Sequence, residues 1–440
     1  MKFLHIADVH LGCRRYNLDE RTKDFFRAWY DVIVRHALPN RVDFVLIAGD
    51  FFNSRKVDPQ TMNHAIAGLE RLKEAGIPVL AIEGNHDQHD TMSRFSWMRS
   101  LSQWGFLKLL EPIPDENGGI KLSPWDDVER AGSYIDIAGA RIFGSHWYGT
   151  SANAAMPVLA DALRGVRADR RLNILMLHTD VEGQITRPIP ALSVAKLKEL
   201  KALTGYVALG HTHKRFEIDG WAFNPGSLEA CTIDEYKEER GIYLVETDGD
   251  HRVTARHIRD YVQRPFKRIS FDVSGAAGPE AVHAGIMETL RREAGERKAE
   301  DDGPAPIIEI SLRGRLGFKN SLLETNRLRD EARRLTGALH VMIRNQSVPV
   351  EYVVPDLGDD VPRHERERRI IEDLIARDTR FRERAREMAA LVIEAKRLAI
   401  NYEAPENILD LIEHTLERSA PGNQPAISFE PPSPVLTAEG

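Results

Sequence analysis

Cysteine is scarce: the 440-residue chain has two, Cys13 and Cys231. They stand in no CxxC spacing, so neither a disulfide framework nor a site built on thiolates is expected. Long apolar runs are missing too. None approaches the roughly 20 residues needed to cross a bilayer, and the sequence opens directly on the strand-like Lys2-Phe3-Leu4-His5-Ile6-Ala7 with no signal peptide in front. The expectation is a cytoplasmic protein without a membrane. An excess of positive charge is also lacking. A formal net charge of −7 counts against a chain that coats nucleic acid without specificity. It leaves room for a local basic rim, because counterion release depends on the charges at the contact. No internal repeat is found.

What is present is an ordinary globular composition, 42% hydrophobic and 29% charged, in a chain too long for one core. To about residue 260, strand-like and helix-like segments alternate. The strands are expected at 2–7, 43–48, 77–82, 172–177 and 206–209, and the helices at 20–37, 59–75, 91–103, 152–165 and 193–202. Asp58 reads as an N-cap with Pro59 in the first turn, and Gly76 as the stop. Helical crossovers early and short hairpin-like strands later predict a sandwich of two mixed sheets with helices outside. The pattern restarts near Gln263 as a small α+β module, with strands at 269–273, 307–312 and 339–343 and helices at 279–294 and 320–336. One charged helix with an apolar stripe is predicted over 363–400, a second over 405–418, and a Pro-rich disordered tail closes the chain.

Five polar clusters each follow an apolar strand, where open α/β sheets place their ligands. They are Asp8-Val9-His10, Gly49-Asp50, Gly84-Asn85-His86-Asp87, His178, and Gly210-His211-Thr212-His213. In an extended chain residues i and i+2 project to one side, so Asp8 with His10, and His211 with His213, can reach one ion together. Any one cluster alone is ordinarily a cap or a satisfied polar contact. All five in order, each behind its own strand, predict one cleft. Carboxylate, imidazole and amide form a hard-to-borderline donor set that suits manganese, iron or zinc. Two divalent ions bring four positive charges and Asp8 and Asp50 return two, so about two remain to offset a nucleophilic oxygen and a phosphate oxygen. Asp87 is placed to orient the His86 imidazole. His5, His36, His64 and His146 take the structural reading.

Together these motifs resemble the calcineurin-like metallophosphoesterases. The longer matches Ala7 to Gly12, Ile47 to Phe52, Ala81 to Asp87 and Asn224 to Glu229 resemble the double-strand-break repair nuclease branch that includes bacterial SbcD. The resemblance implies a four-layer αββα sandwich of two mixed sheets (α/β, or α+β), a small α+β capping domain and C-terminal helices. It divides the chain into a nuclease domain (1–262), a capping and DNA-binding domain (263–350), a linker (351–362), a helical ATPase-binding region (363–419) and a disordered tail (420–440). It implies two divalent ions, manganese first, with Asp8, His10, Asp50 and His213 on one and Asp50, Asn85, His178 and His211 on the other. His86 would contact the scissile phosphate and assist the leaving oxygen, oriented by Asp87. The implied activity is exonuclease and endonuclease cleavage of DNA in double-strand break repair. The implied partner is an SbcC-like ABC ATPase gripped at its coiled coil, the implied place the nucleoid, and a homodimer is left open.

Several members of that branch carry a further histidine after the GDxF motif, where this chain has Asn53. An amide can hydrogen-bond a phosphate or sugar but carries no proton near neutral pH, so a weaker or differently balanced exonuclease is expected. Arg14, Arg15 and Tyr16 follow the first ligand pair and Lys214 and Arg215 the last, as candidates for flanking phosphates and a stacked base. Two rivals stand beside the nuclease: a phosphoesterase for a small molecule or phosphoprotein, and a DNA-end scaffold with a vestigial metal site.

Overall fold

The apolar runs are strands, and they stack as two sheets. A computed structural model of the chain describes residues 1–89, 95–115, 118–184, 190–294, 303–348, 362–376, 380–401 and 403–417. The linker over 351–361, the tail over 420–440 and most of the loop before Pro306 lie outside the described residues. Its contacts divide it into two compact units, one of Met1–Phe271, His283–Leu312 and Glu324–Asn345, the other of Asp272–Val282, Arg313–Leu323 and Gln346–Gly440.

The first unit begins with β1 (Lys2–Ile6), α1 (Asp19–Val32), β2 (Phe44–Ala48), α2 (Pro59–Glu74), β3 (Val79–Ile82), α3 (Trp97–Gln103) and β4 (Lys108–Leu109). It continues with β5 (Tyr134–Ile137), β6 (Ala140–Phe143), α4 (Ala152–Val166), β7 (Leu172–His178), α5 (Val194–Lys198), β8 (Tyr206–Gly210), β9 (Phe216–Ile218), β10 (Ala222–Asn224), β11 (Ile242–Thr247) and β12 (Val253–Ile258). One sheet has the order β12-β11-β1-β2-β3-β4 and the other β9-β10-β8-β7-β6-β5. Strands β1 to β4 are parallel, with Phe3 opposite Phe44 and Val45 opposite Val79, whereas β11 is antiparallel to both of its neighbours. In the second sheet β6, β7, β8 and β10 run parallel while β5 and β9 are antiparallel to their neighbours, so both sheets are mixed.

Between the sheets lies a buried layer that includes Phe3, Phe44, Leu46, Ile174, Met176, Tyr206 and Tyr243. Outside the first sheet, α1 and α2 bury Phe25, Trp29, Val32, Leu69 and Leu72. Outside the second, α4 buries Met156, Leu159 and Leu163. Both faces of the central strands are covered, which is why those strands read as unbroken apolar runs. Helix α2 starts as its residues dictate: the Asp58 carboxylate accepts from Gln60 N at 2.9 Å and Thr61 N at 3.0 Å, with Pro59 in the first turn. Helix α1 runs into a π turn over Ile33–Ala37, so the expected helix to 37 is present with its last turn loosened.

The small module follows as β13 (Phe266–Asp272), α6 (Pro279–Glu293), β14 (Ile307–Arg313), α7 (Thr325–Thr336) and β15 (His340–Asn345), in a three-stranded sheet of order β13-β14-β15. Its β14 and β15 are parallel. In the second unit are α8 (Arg363–Ala376), α9 (Ala385–Ile400) and α10 (Pro405–Glu417). The single helix expected over 363–400 is thus two. A 3-10 turn over Arg382–Arg384 precedes the second, and its last residue, Arg384, leaves helical geometry at φ −117° and ψ 17°. Two short helices can close Ala385, Met388 and Ala389 out of water, which one straight rod could not. Ile370, Leu374, Val392 and Ile400 stay exposed. No helix of the described residues is long and apolar enough to cross a membrane.

Candidate metal centre

The five polar clusters meet at the carboxyl ends of β1, β2, β3, β7 and β8, and the backbone there is bent hard. Asp8, His10, Asp50 and His211 have φ of 52°, 50°, 52° and 90°. Each such left-handed non-glycine residue costs about 1–3 kcal/mol and persists only where its surroundings over-determine it. Close approach is enforced as well. A Cβ on Gly84 would lie 2.1 Å from Asp50 Oδ1, and one on Gly49 2.3 Å from His178 Nδ1, so glycine at both positions lets the strand ends converge.

Asp50 sits at the middle. Its Oδ2 is 3.3 Å from His178 Nε2 and 3.8 Å from His10 Nε2, while Oδ1 accepts the His86 backbone N–H at 2.9 Å. Asn85 Oδ1 is 3.2 Å from His178 Nε2. On the other side His10 Nε2 lies 2.9 Å from His213 Nε2, and each of these two nitrogens is 4.0 Å from Asp8 Oδ1. Among the described residues, the sets able to share an ion are Asp50 with His178 and His211, His10 with Asp50 and His86, and His10 with His213 and Cys231. Seven expected ligands, Asp8, His10, Asp50, Asn85, His178, His211 and His213, are therefore gathered in one place.

The imidazoles are held so that their lone pairs face inward. His178 Nδ1 donates to the Ala48 carbonyl at 2.8 Å, and His213 Nδ1 to Glu235 Oε1 at 3.1 Å, which leaves Nε2 of each for an ion. His211 Nε2 is paired with Asp180 Oδ2 at 3.2 Å, which leaves its Nδ1. Asp180 and Glu235 lie outside the five motifs. Asp180 had a usable signal, since it stands two residues after His178 as His10 does after Asp8; Glu235 stands in no motif. Nδ1 of His10 is buried without a hydrogen-bond partner, and a buried polar atom left so calls for an explanation. A divalent ion fits this donor set of carboxylate, imidazole and amide, and the nitrogen of His10 that faces it is the other one, Nε2, beside Asp50, Asp8 and His213.

The electrostatics are those of charges packed without solvent. Burial opposes ionisation of Asp50, yet His178 and His10 beside it hold the carboxyl well below the usual carboxylate range. Burial likewise opposes charge on His178, but Asp50 raises it to about 9. His213 rises to about 8, against burial, through Glu235 and Asp8. His10 is pushed the other way by burial and by His213.

Two expectations change. Asp87 does not reach the His86 ring: its Oδ2 accepts from Phe51 N at 2.6 Å and Phe52 N at 3.2 Å, and its Oδ1 from Gly84 N at 2.8 Å. The His86 ring is exposed, and its Nδ1 donates instead to the Asn53 carbonyl at 2.8 Å. Three backbone donors outcompete one imidazole for a buried carboxylate. On the rim, Arg215 is committed internally to Tyr243 Oη at 3.0 Å and Glu217 at 3.2 Å. Arg14 pairs with Asp19 at 2.6 Å in an exposed contact, Arg15 is exposed, and Lys214 is 3.9 Å from Glu238. Tyr16 stacks on His340 of the small module with ring centroids 5.5 Å apart. Of the histidines read as structural, His36 Nε2 donates to the Asp260 carbonyl, His146 Nε2 donates to the Pro112 carbonyl, and His64 stacks on Phe26.

Residues 1–215 match the family model of the calcineurin-like phosphoesterases. The DNA double-strand break repair protein Mre11 of Sulfurisphaera tokodaii is 30% identical over 331 residues, 73% of this chain and 76% of that protein. The chain belongs to the Mre11 family. Similar proteins of the same name come from Aeropyrum pernix, 28% identical over 353 residues (78% of this chain, 79% of that protein), and Archaeoglobus fulgidus, 33% over 263 residues (57% and 55%). As a member of the Mre11 family the chain is a metal-dependent nuclease of DNA double-strand break repair, using divalent metal ions.

Proposed function

We propose that the chain cleaves DNA backbone phosphodiesters with two manganese ions that share Asp50. Asp8, His10 and His213 complete the first set, and Asn85, His178 and His211 the second. The observation that carries this reading is the place of Asp50 Oδ2, within 4 Å of a histidine from each set. When bound, the ions supply Lewis acidity toward water and the phosphate. The rest is work for side chains. Glu235, Asp180 and the Ala48 carbonyl fix three imidazoles in the required tautomers. His86, exposed at the mouth with Nδ1 anchored on the Asn53 carbonyl, keeps Nε2 to donate a proton to the departing alkoxide. Asp87 braces the loop that presents it.

The functional divisions are proposed at 1–262 for the nuclease, 263–350 for a cap that helps bind the duplex, and 363–419 for helices that bind the coiled coil of an SbcC-like ATPase. Supporting the last is the apolar surface that α8 and α9 leave open at Ile370, Leu374 and Val392. Arg14, Arg15 and Lys214 are proposed to hold flanking phosphates, with Asn53 beside them. The test separates binding from chemistry. In His86→Gln, duplex cleavage should fall by about 10²–10⁴-fold while the manganese bound per chain, measured by mass spectrometry of the eluted metal, stays at two. A variant that cleaves at the wild-type rate would remove His86 from the mechanism.

A further inference from the structure

Cys231 belongs to none of the motifs, and the low cysteine content argued against any thiol at the centre. Its Sγ nevertheless forms a set with one ring nitrogen of His10 and one of His213, all within 4.8 Å of one another. His10 is 1% exposed, and its Nε2 lies 2.9 Å from His213 Nε2, so two imidazoles already converge at this spot. The cysteine is also fixed in place. Its backbone N donates to Glu235 Oε2 at 2.9 Å, and the other oxygen of the same carboxylate takes His213 Nδ1. One side chain therefore holds both an imidazole and the backbone that carries the thiol. Cys13 is in none of the sets found among the described residues.

The geometry points to Cys231 as an additional ligand of the first pocket, a thiolate taken up when a thiophilic divalent ion such as zinc or cobalt enters; this rests on the two-ion reading above. Such ions sit about 2.0–2.1 Å from imidazole nitrogen and about 2.3 Å from thiolate sulfur. Donor atoms up to 4.8 Å apart close on that geometry with side-chain shifts of about 1 Å or less. Manganese, which prefers oxygen and imidazole, leaves Cys231 a protonated thiol. Zinc or cobalt displaces the thiol proton, which leaves to solvent, and forms the metal–sulfur bond. The first pocket consequently discriminates in favour of thiophilic ions by a residue outside the five motifs.

The test is an optical titration of the metal-free full chain with cobalt(II). A sulfur-to-cobalt charge-transfer band in the near ultraviolet is expected alongside the visible d–d bands. It should be lost in Cys231→Ser and Cys231→Ala, both checked for folding by circular dichroism, and kept in Cys13→Ser. Visible bands without charge transfer, or charge transfer that survives in both Cys231 variants, overturns the thiolate assignment and leaves the two-ion reading standing. No cobalt absorption at all, together with no calorimetric heat on adding manganese, overturns the two-ion reading and the inference with it.

Discussion

Asp50 divides its carboxylate between two tasks: Oδ1 holds the backbone of the His86 loop and Oδ2 faces the histidines of both candidate ion sets. His5 shows what the same degree of burial does to an imidazole without charged neighbours. Its Nε2 donates to the Leu209 carbonyl at 3.0 Å and its Nδ1 accepts from Tyr206 Oη at 2.9 Å, and burial lowers its pKa from 6.5 to about 3. The folded-state value lies below the unfolded one, so the stabilisation is fully present above pH 6.5 and is lost as pH falls toward 3. At pH 4.5 the loss should be about 2–3 kcal/mol, and His5→Gln, with no proton to take up, should flatten that limb of a urea-denaturation series. A mutant curve parallel to wild type would show that His5 is not the titrating group. Asn53 belongs at this scale too. Because its main-chain carbonyl is what His86 contacts, Asn53→His keeps that partner and adds a titratable ring. Duplex exonuclease rate should rise with metal content unchanged; an unaltered rate would dismiss the side chain from catalysis.

At the scale of elements, the loop from Cys231 to Tyr236 joins the small module to the metal centre. Glu235 holds His213, while its neighbour Asp234 pairs with Arg268 of β13 at 2.6 Å and lies 3.7 Å from Arg344 of β15. A second tie is buried: Arg264, just before β13, grips Asp24 of α1 through two 2.6 Å bonds, and Arg21 stacks 5.0 Å from the Phe266 ring. Paired guanidiniums and carboxylates of this kind lock orientation even where their net stabilisation is small. Elsewhere the open surface on α8 and α9 is the notable feature. Leu374→Glu with Val392→Glu should abolish capture of an SbcC-like coiled coil in a pull-down, with cleavage by the isolated chain kept, because both side chains are already exposed. Loss of the folded signal instead would mean that these residues pack within the chain.

Across the whole molecule, the parts legible in the sequence were those governed by local rules. Strands buried on both faces announce themselves as unbroken apolar runs, and Asp58-Pro59 announces a helix start, so both sheets and the order of ligands along the chain could be read. What could not be read depends on contacts between distant segments. Asp87 turns away from His86 because Phe51, Phe52 and Gly84 offer it backbone donors; Glu235 and Cys231 reach His213 and His10 only through the fold; and the break between α8 and α9 carries no Pro or Gly that would announce it. The strained φ angles at Asp8, His10, Asp50 and His211 leave no trace in composition. The central claim is that two ions share one aspartate, and electron paramagnetic resonance of the manganese-loaded chain tests it most directly. Two manganese per chain with an exchange-coupled multiline spectrum, replaced by an uncoupled signal in Asp50→Asn, is the predicted result; a simple six-line spectrum from independent ions in the wild type, unchanged by the substitution, would contradict it.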